Sequence, residues 1–379
     1  MKFSIDKQEL SDLCNLVYRA ASSKNSIPVL SGILLDLDPA TGLTLTATDM
    51  EIGIKANTTN IEVIQPGKVL VNASYFNSFI KSVPDTRLNI EYDTQTSKLK
   101  VLYGRSSGSI NTYQDYEYPD LLLEGAVESF ELPQRVLKEA LKKTAFAAAL
   151  NHFRQVFTGV FFELSAENVL KVVASDTHRL AFFQYEMNSD LIKPCNFVLP
   201  LRTAHELLRV LNDSDEPVKI ALQENNVIFT WKNILLLSRL INGQYPAYNQ
   251  VIPVNFINQL RIKTGVLAEI LDRARTMPRD ENLKLQYVQL SLNQGEASFY
   301  AYSDLMGELN ERVDDISISG ENELKITLNT NYFLDAVRVL QGEGEELEIK
   351  FSGPFSPALI HNPEKNNYLY VLVPLRTSR

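Results

Sequence analysis

The run Ser175-Asp176-Thr177-His178-Arg179 gathers a hydroxyl, a carboxylate, an imidazole and a guanidinium within five residues. Such a group suits a hydrolase in which Asp176 holds His178 as a base, yet no spacing in the chain places the nucleophile that base would serve. Asp176 also has counterparts. Thr48-Asp49 and Ser303-Asp304 follow the same kind of alternating apolar strand, at steps of 127 and 128 residues. Catalytic groups are not ordinarily triplicated, so an Asp that shapes a turn at a strand end is the better account. His178 and Arg179 lack such counterparts and stay candidate functional residues. His152, His178, His205 and His361 show no metal-ligand spacing. Neither a Walker loop nor a glycine-rich dinucleotide motif is present. Cys14 and Cys195 lie too far apart to suggest a disulfide framework. No enzyme, metal or cofactor is expected.

The elements that position this run repeat three times. Phe3-Ser-Ile5, Phe130-Glu-Leu132 and Leu260-Arg-Ile262 are short alternating strands, each followed by apolar residues at helical spacing. Ile5 to Leu132 is 127 residues and Leu132 to Ile262 is 130. A second set, Val69-Leu-Val71, Phe197-Val-Leu199 and Ile326-Thr-Leu328, recurs at 128 and 129 and again leads into helical patterns. Three landmarks with one period predict three tandem α+β domains, 1–128, 129–253 and 254–379, with linkers near Glu124–Ser129 and Pro253–Asn258. Each places its helices on one face of antiparallel sheets.

Composition bounds the function. The 379 residues are 45% hydrophobic and carry a net charge of -9, which excludes a uniformly basic nucleic-acid coat but not a local basic face. Leu240 to Leu260 is uncharged but holds four Asn, three Gln, two Pro and a Gly, so it is no membrane span. Met1 to Asp6 has no apolar leader, and a cytoplasmic protein is expected. Helices are expected over 7–20, 72–83, 133–146, 201–212, 264–277 and 330–341. These windows net +5, leaving -14 on the remainder. Arg135, Lys138, Lys142 and Lys143 supply much of the excess. A solvated helix face explains any one of these charges; their sum suits neutralisation of phosphates without base readout. Two apolar segments, Tyr368 to Arg376 and Asn242 to Pro253, suit a sheet strand and a connector, or the walls of a groove for a partner peptide.

Met1-Lys-Phe3, Ser26-Ile-Pro28-Val-Leu30, Ala47-Thr-Asp49-Met-Glu51, Ala174 to Ala181, Gly243-Gln-Tyr-Pro-Ala-Tyr248, Asn329-Thr-Asn-Tyr332 and Tyr370-Val-Leu-Val-Pro-Leu-Arg376 together resemble the bacterial DNA polymerase III β subunit, the sliding-clamp family. The resemblance spans the chain in order. It implies a head-to-tail homodimer closed as a ring around double-stranded DNA, read without sequence preference, which tethers the replicative polymerase and is opened by a clamp loader. It implies DNA contacts at Lys24, Asn151, Arg154 and Gln155, beside Arg135, Lys138, Lys142 and Arg202. It implies a partner-peptide pocket of Phe157, Thr177, His178, Arg179, Leu180, Pro246, Val251, Tyr332, Phe355, Val373, Pro374, Leu375 and Arg376. Gln155-Val156, Gln250 and Gly108 depart from the family pattern, and Thr377-Ser378-Arg379 extends past its usual end. The rival reading is a repeat scaffold of the same fold that binds proteins but not DNA.

Overall fold

The computed structural model describes residues 1–22, 27–121, 128–187, 193–279, 285–293, 295–303, 306–320 and 323–376. Lys24, most of the first expected linker, Asp304 and the last three residues fall outside them. Among the described residues six α-helices form where the apolar spacing predicts them: α1 Lys7–Val17, α2 Ala73–Ser82, α3 Gln134–Thr144, α4 Leu201–Val210, α5 Thr264–Ala274 and α6 Thr330–Leu340. Side chains set where two of them start. Asn72 caps α2 by accepting from the Tyr75 amide at 2.9 Å, and Asn329 caps α6 by accepting from Asn331 and Tyr332. The buried stripes are Leu10, Leu13, Cys14 and Val17 on α1, and Phe333, Ala336, Val337 and Leu340 on α6.

The chain forms two compact units, and they do not follow the threefold repeat. One holds Met1–Arg135 and Val210–Leu240; the other holds Val136–Arg209 and Ile241–Arg379. Pairing of the middle repeat explains this. In the first unit its strands Glu128–Pro133, Pro217–Leu222, Asn226–Trp231 and Ile234–Arg239 extend the sheet of the first repeat, Ile234–Arg239 pairing with Ile52–Thr58. In the second, Arg179–Glu186 pairs with Tyr368–Leu372, making one nine-stranded sheet with the last repeat. Each unit carries a further sheet, of five strands in the first and four in the second. In the first unit α1 packs on α2; in the second, α5 packs on α6.

Glu348 anchors the nine-stranded sheet. It is buried, accepts from Arg261 Nε at 2.8 Å, and lies 2.9 Å from both Lys350 Nζ and His361 Nε2. Burial alone would raise its pKa. The hydrogen bonds from Lys350 and Arg261 outweigh it and hold the carboxyl down at about 2, below its ordinary 4.5. The stability this contributes is therefore complete above pH 4.5 and is lost as pH falls from there towards 2. With Arg261 half-exposed, it amounts to roughly 2–3 kcal/mol. Melting temperatures between pH 3 and pH 6 should depend less steeply on pH in Glu348→Gln than in the parent; equal slopes would remove the carboxylate from this role.

Candidate partner groove and charged surface

The two described strand-end turns have the same internal wiring. Thr48 Oγ1 donates to the Ile52 carbonyl at 2.9 Å and accepts from the Met50 amide, while Asp49 Oδ1 accepts from the amides of Glu51 and Ile52. One repeat later, Ser175 Oγ donates to the Arg179 carbonyl at 2.7 Å and accepts from the Thr177 amide. Asp176 Oδ1 accepts from His178 and Arg179. These bonds hold Met50 and Thr177 at φ 76° and 75°, a left-handed conformation that L-residues seldom adopt. Asp176 is thus a turn former. The hydrolase arrangement is absent among the described residues, because Asp176 binds the turn and Arg179 while His178 is exposed.

Arg179 is the polar hub of this region. Its Nε donates to Asp176 Oδ2 at 2.9 Å, Nη1 to Asp335 Oδ2 at 2.7 Å and Nη2 to the Phe146 carbonyl at 2.6 Å. The guanidinium lies over the Tyr332 ring, 4.1 Å from its centroid. Tyr370 then donates to the Tyr332 carbonyl at 2.9 Å, so the hub joins α6 to the strand Tyr368–Leu372. The charge on this guanidinium, 10% exposed, is met by two carboxylates.

Beside Arg179 a cleft of about 440 Å³ opens in the second unit. Phe157, Leu180 and Val371 are its buried apolar lining, and the uncharged connector closes it with Tyr245, Pro246, Tyr248, Val251, Ile252 and Pro253. Tyr245 stacks on Phe161 at 4.7 Å, and Tyr248 donates its hydroxyl to Glu163. Burial, then in the second case the Glu163 carboxylate, pushes both phenols well above their ordinary range, so both stay neutral. A mostly apolar cleft with one anchored guanidinium suits an apolar peptide segment whose backbone needs few polar partners.

Of the expected pocket residues, Phe157, Thr177, Arg179, Leu180, Pro246, Val251 and Val373 line this cleft. The other six do not. His178 contributes only its backbone carbonyl, which accepts from Val373, and Tyr332 lies beneath Arg179. Phe355 is exposed, although its neighbour Pro357 is part of the lining. Pro374 and Leu375 are half-buried, the latter bonded through its amide to the Thr327 carbonyl, and Arg376 is exposed. Gln250, singled out in the sequence as a departure from the family pattern, is also in the lining; sequence reading missed Ser175, Tyr245, Ala247, Tyr248, Ile252, Pro253, Pro357 and Val371 as individual residues. The uncharged run Asn242 to Pro253 was the available signal for most of them.

The expected DNA-facing residues divide. Lys142, Asn151, Arg154, Gln155 and Arg202 are exposed in the second unit, and Lys138 is half-exposed. Arg135, in the first unit, is exposed but paired with Asp215. Lys143, counted among the basic helix residues, is buried. It pairs with Glu343 at 2.7 Å and Glu139 at 2.8 Å and lies over the rings of Phe183 and Tyr368. Its place at the end of α3 turns it inward, so it is no phosphate contact. Arg209, Arg273, Arg275 and Arg338 also sit in ion pairs, with Glu206, with Glu311 and Glu269, and with Asp272. The helix charge is therefore partly spent inside the protein. The exposed loop tip adds Leu150 and Phe153, the latter stacked on His152 at 4.5 Å.

No group of three metal-binding side chains occurs among the described residues, and no described helix is long and apolar enough to cross a membrane. Tandem α+β repeats, with an apolar cleft in the second unit, suit a binding protein. Models of the N-terminal, central and C-terminal domains of the DNA polymerase III beta subunit match residues 1–122, 131–247 and 249–376. The beta sliding clamp of Halalkalibacterium halodurans is 32% identical over 388 residues, covering all of both chains. That of Bacillus subtilis is 29% identical over 385 residues, again covering both completely. Among solved structures, the Bacillus subtilis sliding clamp superposes with a TM-score of 0.91 at 28% identity, covering 100% of this chain and 99% of its own. The Streptococcus pneumoniae beta chain gives 0.92 at 28%, covering 99% and 100%. The chain belongs to the DNA polymerase III beta subunit family, and its function is that of a DNA sliding clamp.

Proposed function

We propose that two copies of this chain, each of three domains with limits at 1–128, 129–253 and 254–379, join head to tail into a ring around duplex DNA and tether the replicative polymerase through the cleft beside Arg179. The ring has no catalysis of its own and acts in the cytoplasm, where a loader must open it. The cleft carries this reading: it is apolar, partly walled by an uncharged connector, and fixed by a mostly buried guanidinium. Closure has a physical basis in unpaired sheet edges. Within their own sheets, the strand Ser106–Asn111 in the first unit and Gly307–Val313 in the second each lie at an end, with backbone groups available to pair. Gly108 suits the first of these edges. A Cβ there would come within 2.4 Å of the Phe79 ring, which stacks with Tyr75 and meets Tyr103 edge-on, so the aromatic fills the place a side chain would take.

Lys138, Lys142, Arg154 and Arg202 are the proposed phosphate contacts, with Asn151 and Gln155 as polar neighbours; Lys24 joins them from sequence alone. The test is retention on nicked circular against linear duplex at rising salt. The expected result is retention on circles only, at twice the 42.8 kDa chain mass. Replacing Lys138, Lys142 and Arg202 with Gln should flatten the salt dependence of DNA affinity by about one unit of slope per contact removed. A monomer that binds the polymerase but keeps no DNA would favour the protein scaffold.

A further inference from the structure

The first unit contains the same construction as the cleft, one repeat earlier. A step of 127 relates Gly53 to Leu180, Tyr118-Pro119 to Tyr245-Pro246 and Leu121 to Tyr248. Strand pairing gives the same correspondence independently: Leu180 lies opposite Val371, and Gly53 lies opposite Leu237. The tyrosines agree too. The Thr48 amide donates to the Tyr118 hydroxyl at 3.1 Å, and Tyr245 sits beside the Ser175 amide.

What differs is the occupant. Leu121 is buried on Ile228, Leu235 and Leu237. It reaches them because residue 53 has no side chain: a Cβ on Gly53 would lie 2.5 Å from a Leu121 methyl. In the second unit Leu180 fills that position. The larger Tyr248 turns aside to pack on Phe161 and Phe182 and to bond Glu163, which leaves the cleft open.

We infer that the first unit holds a second apolar peptide site, occupied by the chain's own Leu121 in the manner of a tethered ligand. This rests on the cleft reading above. The site would take the side chain of a leucine or phenylalanine from an extended peptide. Leu121 excludes outside peptides because a tethered group competes at high effective concentration. The family's repeat thus supplies two equivalent surfaces, of which this chain leaves one open.

The blocked dipeptide Ac-Leu-Phe-NH2, titrated into methyl-labelled full-length protein, tests this. In the parent, methyl signals of Leu180 and Val371 should move and those of Leu235 and Leu237 should not. In Leu121→Ala both sets should move, with at least a tenfold gain in shift at Leu235 and Leu237. Gly53→Ala, whose new methyl displaces Leu121 without deleting it, should give the same gain and covers the case of a poorly folded first variant. The inference is overturned if either variant binds at Leu180 and Val371 while Leu235 and Leu237 stay still. Movement of Leu235 and Leu237 in the parent overturns it as well. Silence at Leu180 and Val371 with gain at Leu235 and Leu237 leaves the inference standing and removes the cleft reading instead.

Discussion

Lys143→Met should destabilise the second unit by about 3–5 kcal/mol and leave DNA affinity and its salt slope unchanged. Its ammonium is taken out of water and is held by Glu343 and Glu139, with Lys365 3.8 Å from Glu343. Truncation leaves Glu343, itself mostly buried, with Lys365 at 3.8 Å as its remaining cationic partner, and removes the ammonium that lies over the rings of Phe183 and Tyr368. The penalty is that of an unpaired buried carboxylate rather than the net worth of the pair, since a well-packed apolar replacement for both partners is often neutral. Lys143→Met combined with Glu343→Leu should therefore recover most of the loss. Calorimetric unfolding of the full chain reads both effects. A single variant that melts like the parent but loses a unit of salt slope would return Lys143 to the DNA-facing surface.

Lys143 also marks the limit of what the chain's sequence discloses. Periodicity located all six helices, because burying an apolar stripe requires the 3.6-residue spacing whatever the tertiary contact. It also placed the two described Asp turns, at Asp49 and Asp176, since a hydroxyl followed by Asp at a strand end can satisfy its own turn locally. Whether a lysine at the end of such a helix faces solvent depends on residues 200 positions away, here Glu343, and no local pattern carries that. The same reason explains the two units. Strand Ile234–Arg239 opens with the apolar run Ile-Leu-Leu-Leu, and nothing in it states that its neighbour is Ile52–Thr58 rather than another strand of its own repeat. Repeats reveal how a chain is built from copies; which copies share a sheet is settled by edge pairing. The cleft lay between these extremes. Its apolar connector stood out as an uncharged run, whereas Val371 is an ordinary strand residue until Leu180 is found opposite it.

Charge followed the same division. An excess of basic residues on the helices was visible, but the ion pairs of Arg209, Arg273, Arg275 and Arg338 remove part of it from the field seen by a polyanion. The exposed basic residues of α3, α4 and the Asn151–Gln155 loop are Lys142, Arg202 and Arg154, with Lys138 half-exposed. Affinity for DNA should therefore respond to these few residues and little to the paired arginines of α5 and α6.

Arg179→Lys should cost about 2–4 kcal/mol in stability and weaken Ac-Leu-Phe-NH2 at the cleft at least tenfold, although it preserves charge. The planar fork makes three bonds in three directions, to Asp176, Asp335 and the Phe146 carbonyl, and lies over the Tyr332 ring. An ammonium cannot keep all of these, and it hydrates more strongly than a guanidinium, so it tends to leave the ring for water. The bonds are unequal. Asp335 is 40% exposed, so water replaces its partner at small cost, whereas Asp176 is 10% exposed and also shapes the turn that carries Thr177 and Leu180 into the cleft wall. Asp335→Asn should consequently be mild, and Asp176→Asn should resemble Arg179→Lys in its effect on peptide affinity. Peptide titration and thermal unfolding of the three variants separate these contributions. If Arg179→Lys lost stability but bound the peptide as the parent does, Arg179 would be a structural tie alone and the cleft would owe its shape to the apolar wall.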